Sequence, residues 1–386
     1  MILWAFLVVI TILLITYYKI TSKTPDALKN IHTITLFSRI FLTITKQLGH
    51  DTLYFRYKQY FEKDGIVKER FRGKWTCMVT DPAIAKDILS KQGAPAFRAL
   101  PLHLFAETAL KMIDILETID KKPIVIDSFM QRFTLDVLGK VAFGFDFNNL
   151  ENPNSVYVTA YNEVQNAILD PLALFFQIDN IPILRQHRLK KLTKLNNIFI
   201  EIIKEKRKAL AAGKSQGDLL EHMLNANENL DNQILSDNEL KHNLAVFILA
   251  GHKTTATAIS TILYLLSIHK NVQEKAREEV LRILGDNLIP SAEQHKSLKY
   301  LNMIIHENLR LYPPATFLQH RESAENLKIK DFVIPAGTPI EIFIYGIHHS
   351  PKLWTNPEEF LPERFENKNA TIENYSWLAF SSGARK

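Results

Sequence analysis

The sequence predicts a mainly α fold with small β-sheets (α+β), hung on an N-terminal transmembrane helix. Three observations carry this. Residues 1–18, MILWAFLVVITILLITYY, hold no charged side chain. As a helix they span about 27 Å at 1.5 Å per residue, close to the hydrocarbon thickness of a bilayer. A capping box at Ser236-Asp-Asn-Glu239 opens the longest apolar helical pattern of the remaining chain, 237–269. Strand-like runs are short, few and local.

The N-terminal helix reads as an uncleaved anchor. Trp4, Tyr17 and Tyr18 sit near its ends, where amphipathic rings prefer the interface. Lys19, Lys23 and Lys29 follow, so the positive-inside rule puts everything downstream in the cytosol. A signal peptide would show a basic leader and a small-residue cleavage site, and neither is present. The expected division is 1–18 anchor, 19–50 linker leading into the domain, and 51–386 the helical domain. Over all 386 residues, 23% are charged and 46% hydrophobic, as in ordinary globular chains. The net charge of +6 is mild and scattered. It suits anionic lipid or an acidic partner, and the lack of a basic stripe with interleaved aromatics argues against nucleic acid. The single cysteine, Cys77, cannot close an internal disulfide. In WTCMV it reads as a small buried hydrophobe.

Along the chain, 66–80 reads as two strands around Arg72-Gly73, and Asp81-Pro82 opens a short helix. Residues 127–144 are helical in pattern and end at Gly144, and 187–212 form a strongly basic amphipathic helix. In 237–269 the residues Leu240, Leu244, Phe247, Gly251, Thr254, Ala258, Thr261 and Leu265 share one stripe. The other faces are nearly as apolar, so this helix runs through the middle of a large domain. His252 and Lys253 at its centre argue against a second membrane span. A charged helix (272–284) ends at Gly285, and another (297–311) stops at Pro313-Pro314. DFVIPAGTPIEIFIYG then reads as strand, Pro-Ala-Gly turn, strand.

Four stretches can carry chemistry. In AGHKTTATAIS (250–260), small residues leave a groove, and Thr254 can turn its hydroxyl back onto a carbonyl one turn earlier. The plainer reading is helix packing through small residues. In HENLRLYPP (306–314), Glu307 and Arg310 lie three apart on an otherwise apolar helix, so a buried pair within a network is expected. In WTNPEEFLPERFENK (354–368), Arg364 suits a third member meeting Glu307. Last comes FSSGARK (380–386), a small-residue loop with a glycine and an arginine.

In order, A-G-x-x-T-T, E-x-x-R, P-E-R-F and F-x-x-G-x-R make the chain resemble a membrane-anchored eukaryotic cytochrome P450. The resemblance covers most of the chain, including DPAIAKDIL and LDVLGKVAFGFDF. It implies haem b, dioxygen, and electrons from NADPH through a membrane-bound NADPH–cytochrome P450 reductase. It implies insertion of one oxygen atom into an apolar small molecule at the endoplasmic reticulum membrane. By resemblance, Ala250 and Gly251 form an oxygen groove, and Thr254 hydrogen-bonds dioxygen and helps deliver protons. Glu307, Arg310 and Arg364 match a structural triad. Arg321 and Arg385 match propionate contacts, and Phe380 and Gly383 match the haem loop.

Three departures accompany the resemblance. The family pattern F-x-x-G-x-R-x-C puts the axial cysteine directly after Lys386, so no metal ligand is assigned within 1–386. KQG (91–93) runs straight into APAFR, so a segment carrying a W-x-x-x-R helix is expected to be missing. Lys253 stands where the family usually has Asp or Glu, and reads either as a proton-network member or as a salt bridge to another helix. The alternative of a different class is a non-catalytic fragment or membrane-bound interaction protein that cannot ligate haem iron.

Overall fold

The computed structural model describes residues 24–35, 38, 50–71, 74–82, 85, 102–119, 123–168, 182–228, 236–318, 321–329, 332–366 and 375–382. The expected anchor (1–18), the expected missing segment near 91–98 and the end of FSSGARK lie outside these. So does most of the helix expected after Asp81-Pro82, although Pro82 and Ala85 are helical.

Among the described residues, the strands build one sheet and one hairpin. Thr33–Ile34 (β1) runs parallel to Ile66–Phe71 (β2), which pairs antiparallel with Lys74–Val79 (β3). Further on come Arg321–Glu322 (β4), the antiparallel pair Leu327–Ile329 (β5) and Phe332–Ile334 (β6), and Pro339–Ile342 (β7). β7 lies between β3 and β4, giving a five-stranded order β1-β2-β3-β7-β4. The strands on either side of the Pro-Ala-Gly turn therefore do not pair with each other. β6 closes a hairpin with β5, and β7 crosses to the main sheet. Leu28, Ile31 and Ile34, within the expected linker, are buried against Ile66, Cys77 and Val67, so part of 19–50 is built into the sheet. Cys77 is fully buried, and burial pushes its thiol up to about 12.

The helices are His50–Asp64 (α1), Leu102–Thr118 (α2), Ile126–Leu138 (α3), Val156–Ile168 (α4), Pro182–Ala211 (α5), Leu219–Glu228 (α6), Asp237–Ile268 (α7), Lys270–Leu284 (α8), Ala292–Ser297 (α9), Lys299–Leu311 (α10) and Ile344–His348 (α11). α3 continues as a π turn over Gly139–Phe143 and stops at Gly144, whose φ of +58° lies in the left-handed region. A Cβ there would sit 2.7 Å from Asp218 Oδ2 and 2.8 Å from Lys206 Nζ. Those two side chains form a buried ion pair that ties the end of α5 to the start of α6.

α7 begins as its sequence requires. The Ser236 hydroxyl accepts the Glu239 N–H, and the Glu239 carboxylate accepts the Ser236 N–H. It is long and apolar enough to cross a membrane by length and composition. Here it is packed against α3, α5 and α10 instead. Its core neighbours include Leu135, Phe143, Phe199 and Ile202, each worth about 1.5–3 kcal/mol when fully buried.

Candidate active site

α10 carries the most heavily bonded group among the described residues. Glu307 and Arg310 are both 0% exposed. Arg310 Nε donates to Glu307 Oε2 at 2.7 Å, and Nη2 donates to Oε1 at 2.8 Å. Nη2 also reaches the Glu359 carbonyl at 3.2 Å. Nη1 donates to the carbonyls of His348 (2.9 Å) and Pro357 (2.7 Å). All five guanidinium N–H groups thus have acceptors, the condition for burying such a charge without a large penalty. Glu307 Oε1 further accepts the Leu361 N–H at 3.0 Å and Arg364 Nε at 3.3 Å. Arg364 then donates to the carbonyls of Thr355 and Asn356. The Trp354 ring lies 5.2 Å from the Arg310 guanidinium carbon. The three charges therefore hold the 354–364 loop by its backbone. A Lys at 310 has three donors and no planar fork, so it could not hold the same acceptors.

The segment after this loop docks on the same helix. The Trp377 ring stacks on His306 with centroids 4.9 Å apart, and its Nε1 donates to the His306 carbonyl at 3.2 Å. Phe380, reached through a turn closed by Ser381 N–H to Leu378 O at 2.9 Å, is 73% exposed. Gly383 and Arg385 lie outside the described residues. Arg321 opens β4, its backbone paired with Ile340 and its side chain half-buried.

On α7 the buried line is Leu240, Leu244, Ile248, His252, Ala256, Ser260 and Leu265. The stripe read from the sequence is corrected here: its two ends are buried, but Phe247 is exposed and Gly251, Thr254, Ala258 and Thr261 are only half-buried. The other faces of this helix are nearly as apolar, so periodicity does not choose between them, and packing against α3 and α5 does. The result is a face on which Phe247 and Ala250 are exposed and Thr254 is half-buried. The Thr254 hydroxyl donates back to the Ala250 carbonyl at 2.5 Å. At Gly251 a Cβ would meet Leu138 at 3.4 Å, so the helices approach closely there.

Lys253 Nζ pairs with Asp127 Oδ2 of α3 at 3.1 Å, and Gln131 Nε2 donates to the same oxygen at 2.6 Å. That is the interhelical salt bridge among its two sequence readings. In the sequence His252 serves only to argue against membrane crossing. It is buried, its Nδ1 lies 3.0 Å from Thr134 Oγ1, and its ring meets Tyr161 edge-on at 4.4 Å. Burial, helped by the Lys253 charge, lowers its pKa to about 4. The sequence carries no signal for the roles of His252, His306 and Trp377, because their partners lie far away along the chain.

The family model described as Cytochrome P450 matches residues 102–386. Similar curated proteins include Cytochrome P450 3A5 of Homo sapiens, 31% identical over 279 residues. Cytochrome P450 3A7 of Homo sapiens is 32% identical over 279 residues, and Cytochrome P450 3A29 of Sus scrofa 31% over 274. Each alignment takes in 68% of this chain and 54% of the relative. The chain thus spans about half the length of the curated relatives it matches. Among solved structures, the crystal structure of a cytochrome P450DA heme domain superposes with a TM-score of 0.71 at 19% identity, over 88% of this chain and 83% of that one. Sequence and fold agree, and the chain belongs to the cytochrome P450 family.

Proposed function

We propose that this chain serves haem-thiolate monooxygenation, inserting one atom of dioxygen into an apolar small molecule. The observation that carries the reading is a pairing of two features. A buried triad fixes the 354–364 loop, and the Trp377–Phe380 segment beyond it docks on His306 of the same helix. On α7, a small-residue face leaves Ala250 exposed and Gly251 and Thr254 half-buried.

The residues present fit a haem. Phe380 and Ala250 are exposed rather than packed into the core, and Thr254 and Arg321 are partly so. Phe380, Gly383, Arg321 and Arg385 would hold the group and its propionates. When bound, haem with a thiolate ligand supplies oxygen activation, the thiolate favouring O–O cleavage. The chain's own residues position and protonate. Ala250 and Gly251 leave room beside the helix. Thr254 Oγ1, already turned onto the Ala250 carbonyl, presents a rotatable hydroxyl that can exchange that bond for one to a small polar ligand. Lys253, held by Asp127, keeps a proton-bearing group one residue away. The anchor at 1–18 would hold the domain at the endoplasmic reticulum membrane, and a reductase using NADPH would dock on a basic face.

One observation favours the non-catalytic alternative. Cys77 is buried in β3 with its pKa raised to about 12, so this thiol is closed off from a metal ion. The carbon-monoxide difference spectrum of the reduced full-length chain in membranes decides between them. The Soret band of thiolate-bound haem is expected, and its absence assigns the chain to the non-catalytic reading.

A further inference from the structure

His348, the last residue of α11, is fully buried. Its carbonyl accepts Arg310 Nη1 at 2.9 Å. Its ring makes a separate bond to a distant part of the chain: Nε2 accepts the Leu378 N–H at 2.8 Å. Only a neutral imidazole can do this, because the charged ring has two donors and no acceptor. Burial, then the charge of Arg310 and the neighbouring His349, hold its pKa well below 6.5. The carbonyls of Arg310 and Leu309 draw it the other way without reversing the direction. Nδ1 is buried with no hydrogen-bond partner, so the bond to Leu378 is the ring's only full one.

Leu378 is itself 0% exposed and opens the turn closed by Ser381, whose φ is +65°. Phe380 projects from that turn. A backbone N–H buried at such a site must find an acceptor, and a side chain supplies it. One residue thus bonds the triad through its carbonyl and the turn through its ring.

We propose that His348 is a positioning residue whose neutral ring pins the Leu378 N–H, so that the Phe380 turn is held in register with the buried Arg310. Its consequence for haem rests on the monooxygenase reading above, but the pin itself does not. The test uses the full-length chain with His348→Gln and His348→Asn. A glutamine carbonyl reaches the place of Nε2, whereas an asparagine carbonyl stops one bond short. Both are neutral and polar. Hydrogen–deuterium exchange across 375–382 is the readout. His348→Gln should exchange within about twofold of wild type, and His348→Asn about tenfold faster at Leu378, with α3 and α5 unchanged in both.

Equal exchange at Leu378 in the two variants overturns the pin. So does loosening in His348→Asn that is as large in α3 and α5 as in the turn. If a variant fails to fold, the wild-type chain still decides: a Leu378 amide that exchanges at the unprotected rate at pH 7 refutes the proposal. Haem titration of the same variants is read separately. The expected exchange pattern with no haem uptake, even by wild type, would sink the haem reading and leave the pin standing.

Discussion

Replacing Arg310 by methionine tests whether the triad holds the loop by satisfied charge. The side chain makes two charge-assisted bonds to Glu307 and three bonds to the carbonyls of His348, Pro357 and Glu359. Methionine fills similar space and makes none of them. Glu307 would remain fully buried with the Leu361 N–H and a 3.3 Å bond to Arg364 as its partners. Breaking one side of a buried pair costs about 3–5 kcal/mol, out of a total stability of roughly 5–15 kcal/mol. Arg310→Met should therefore lose about a fifth or more of the folding free energy, read from urea denaturation of the detergent-solubilised full chain. The double variant Glu307→Leu with Arg310→Met should lose clearly less than the sum of the single changes, by about 2 kcal/mol or more, because no carboxylate is then stranded. Arg364, which is 13% exposed, keeps its bonds to the Thr355 and Asn356 carbonyls in that background. A single-variant cost under about 1 kcal/mol, or strict additivity in the double, would refute the argument.

His252 makes stability pH-dependent with a definite sign. Its folded pKa of about 4 lies below the ordinary 6.5, so the unfolded chain binds the proton more readily. Stability is complete above pH 6.5 and falls toward pH 4, by about 2 kcal/mol at pH 5. Urea midpoints at pH 7.5 and 5 check this, and a flat profile contradicts it. Gly144→Ala forces a side chain into the left-handed region and against the Lys206–Asp218 pair. A loss of about 3 kcal/mol is expected, seen as a lowered thermal midpoint. Cys77 should resist maleimide at pH 7 until denaturant is added, since only an exposed thiolate reacts. Labelling of the native chain at a free-thiol rate would show that β3 is not closed.

What could be read from the sequence was what neighbouring residues decide. The Ser236–Glu239 box, the stop at Gly144 and the Glu307–Arg310 pair at i,i+3 all depend on residues within one or two turns, and all are found in the fold. The meeting of Arg364 with Glu307 spans 57 positions and was legible only because the P-E-R-F stretch belongs to a family pattern. His348, Asn308 and the Lys206–Asp218 pair had no such signal. Their partners are backbone groups or loops whose positions follow from packing. The buried face of α7 was misjudged for a related reason. An all-apolar helix has no preferred side until its neighbours are present.

Those neighbours also hold the α7 segment that carries Thr254. Thr134 of α3 donates to the His252 carbonyl at 3.1 Å, and Asn308 of α10 donates to the Ala258 carbonyl at 3.2 Å. Each carbonyl already serves the helix ladder, so each receives a second donor from an adjacent helix. The two anchors bracket Lys253–Thr257 from separate sides. Thr254 therefore sits on a helix segment bonded to α3 and α10, and is itself half-buried. Asn308 is the residue after Glu307, so the bonds that bury Glu307 and Arg310 also fix the height of the Asn308 amide. A change that let α10 shift would be felt at the 354–364 loop through Arg310 and on α7 through Asn308. The two halves of the candidate site thus share one mechanical support, and a disturbance of the triad should reach Thr254 without touching it.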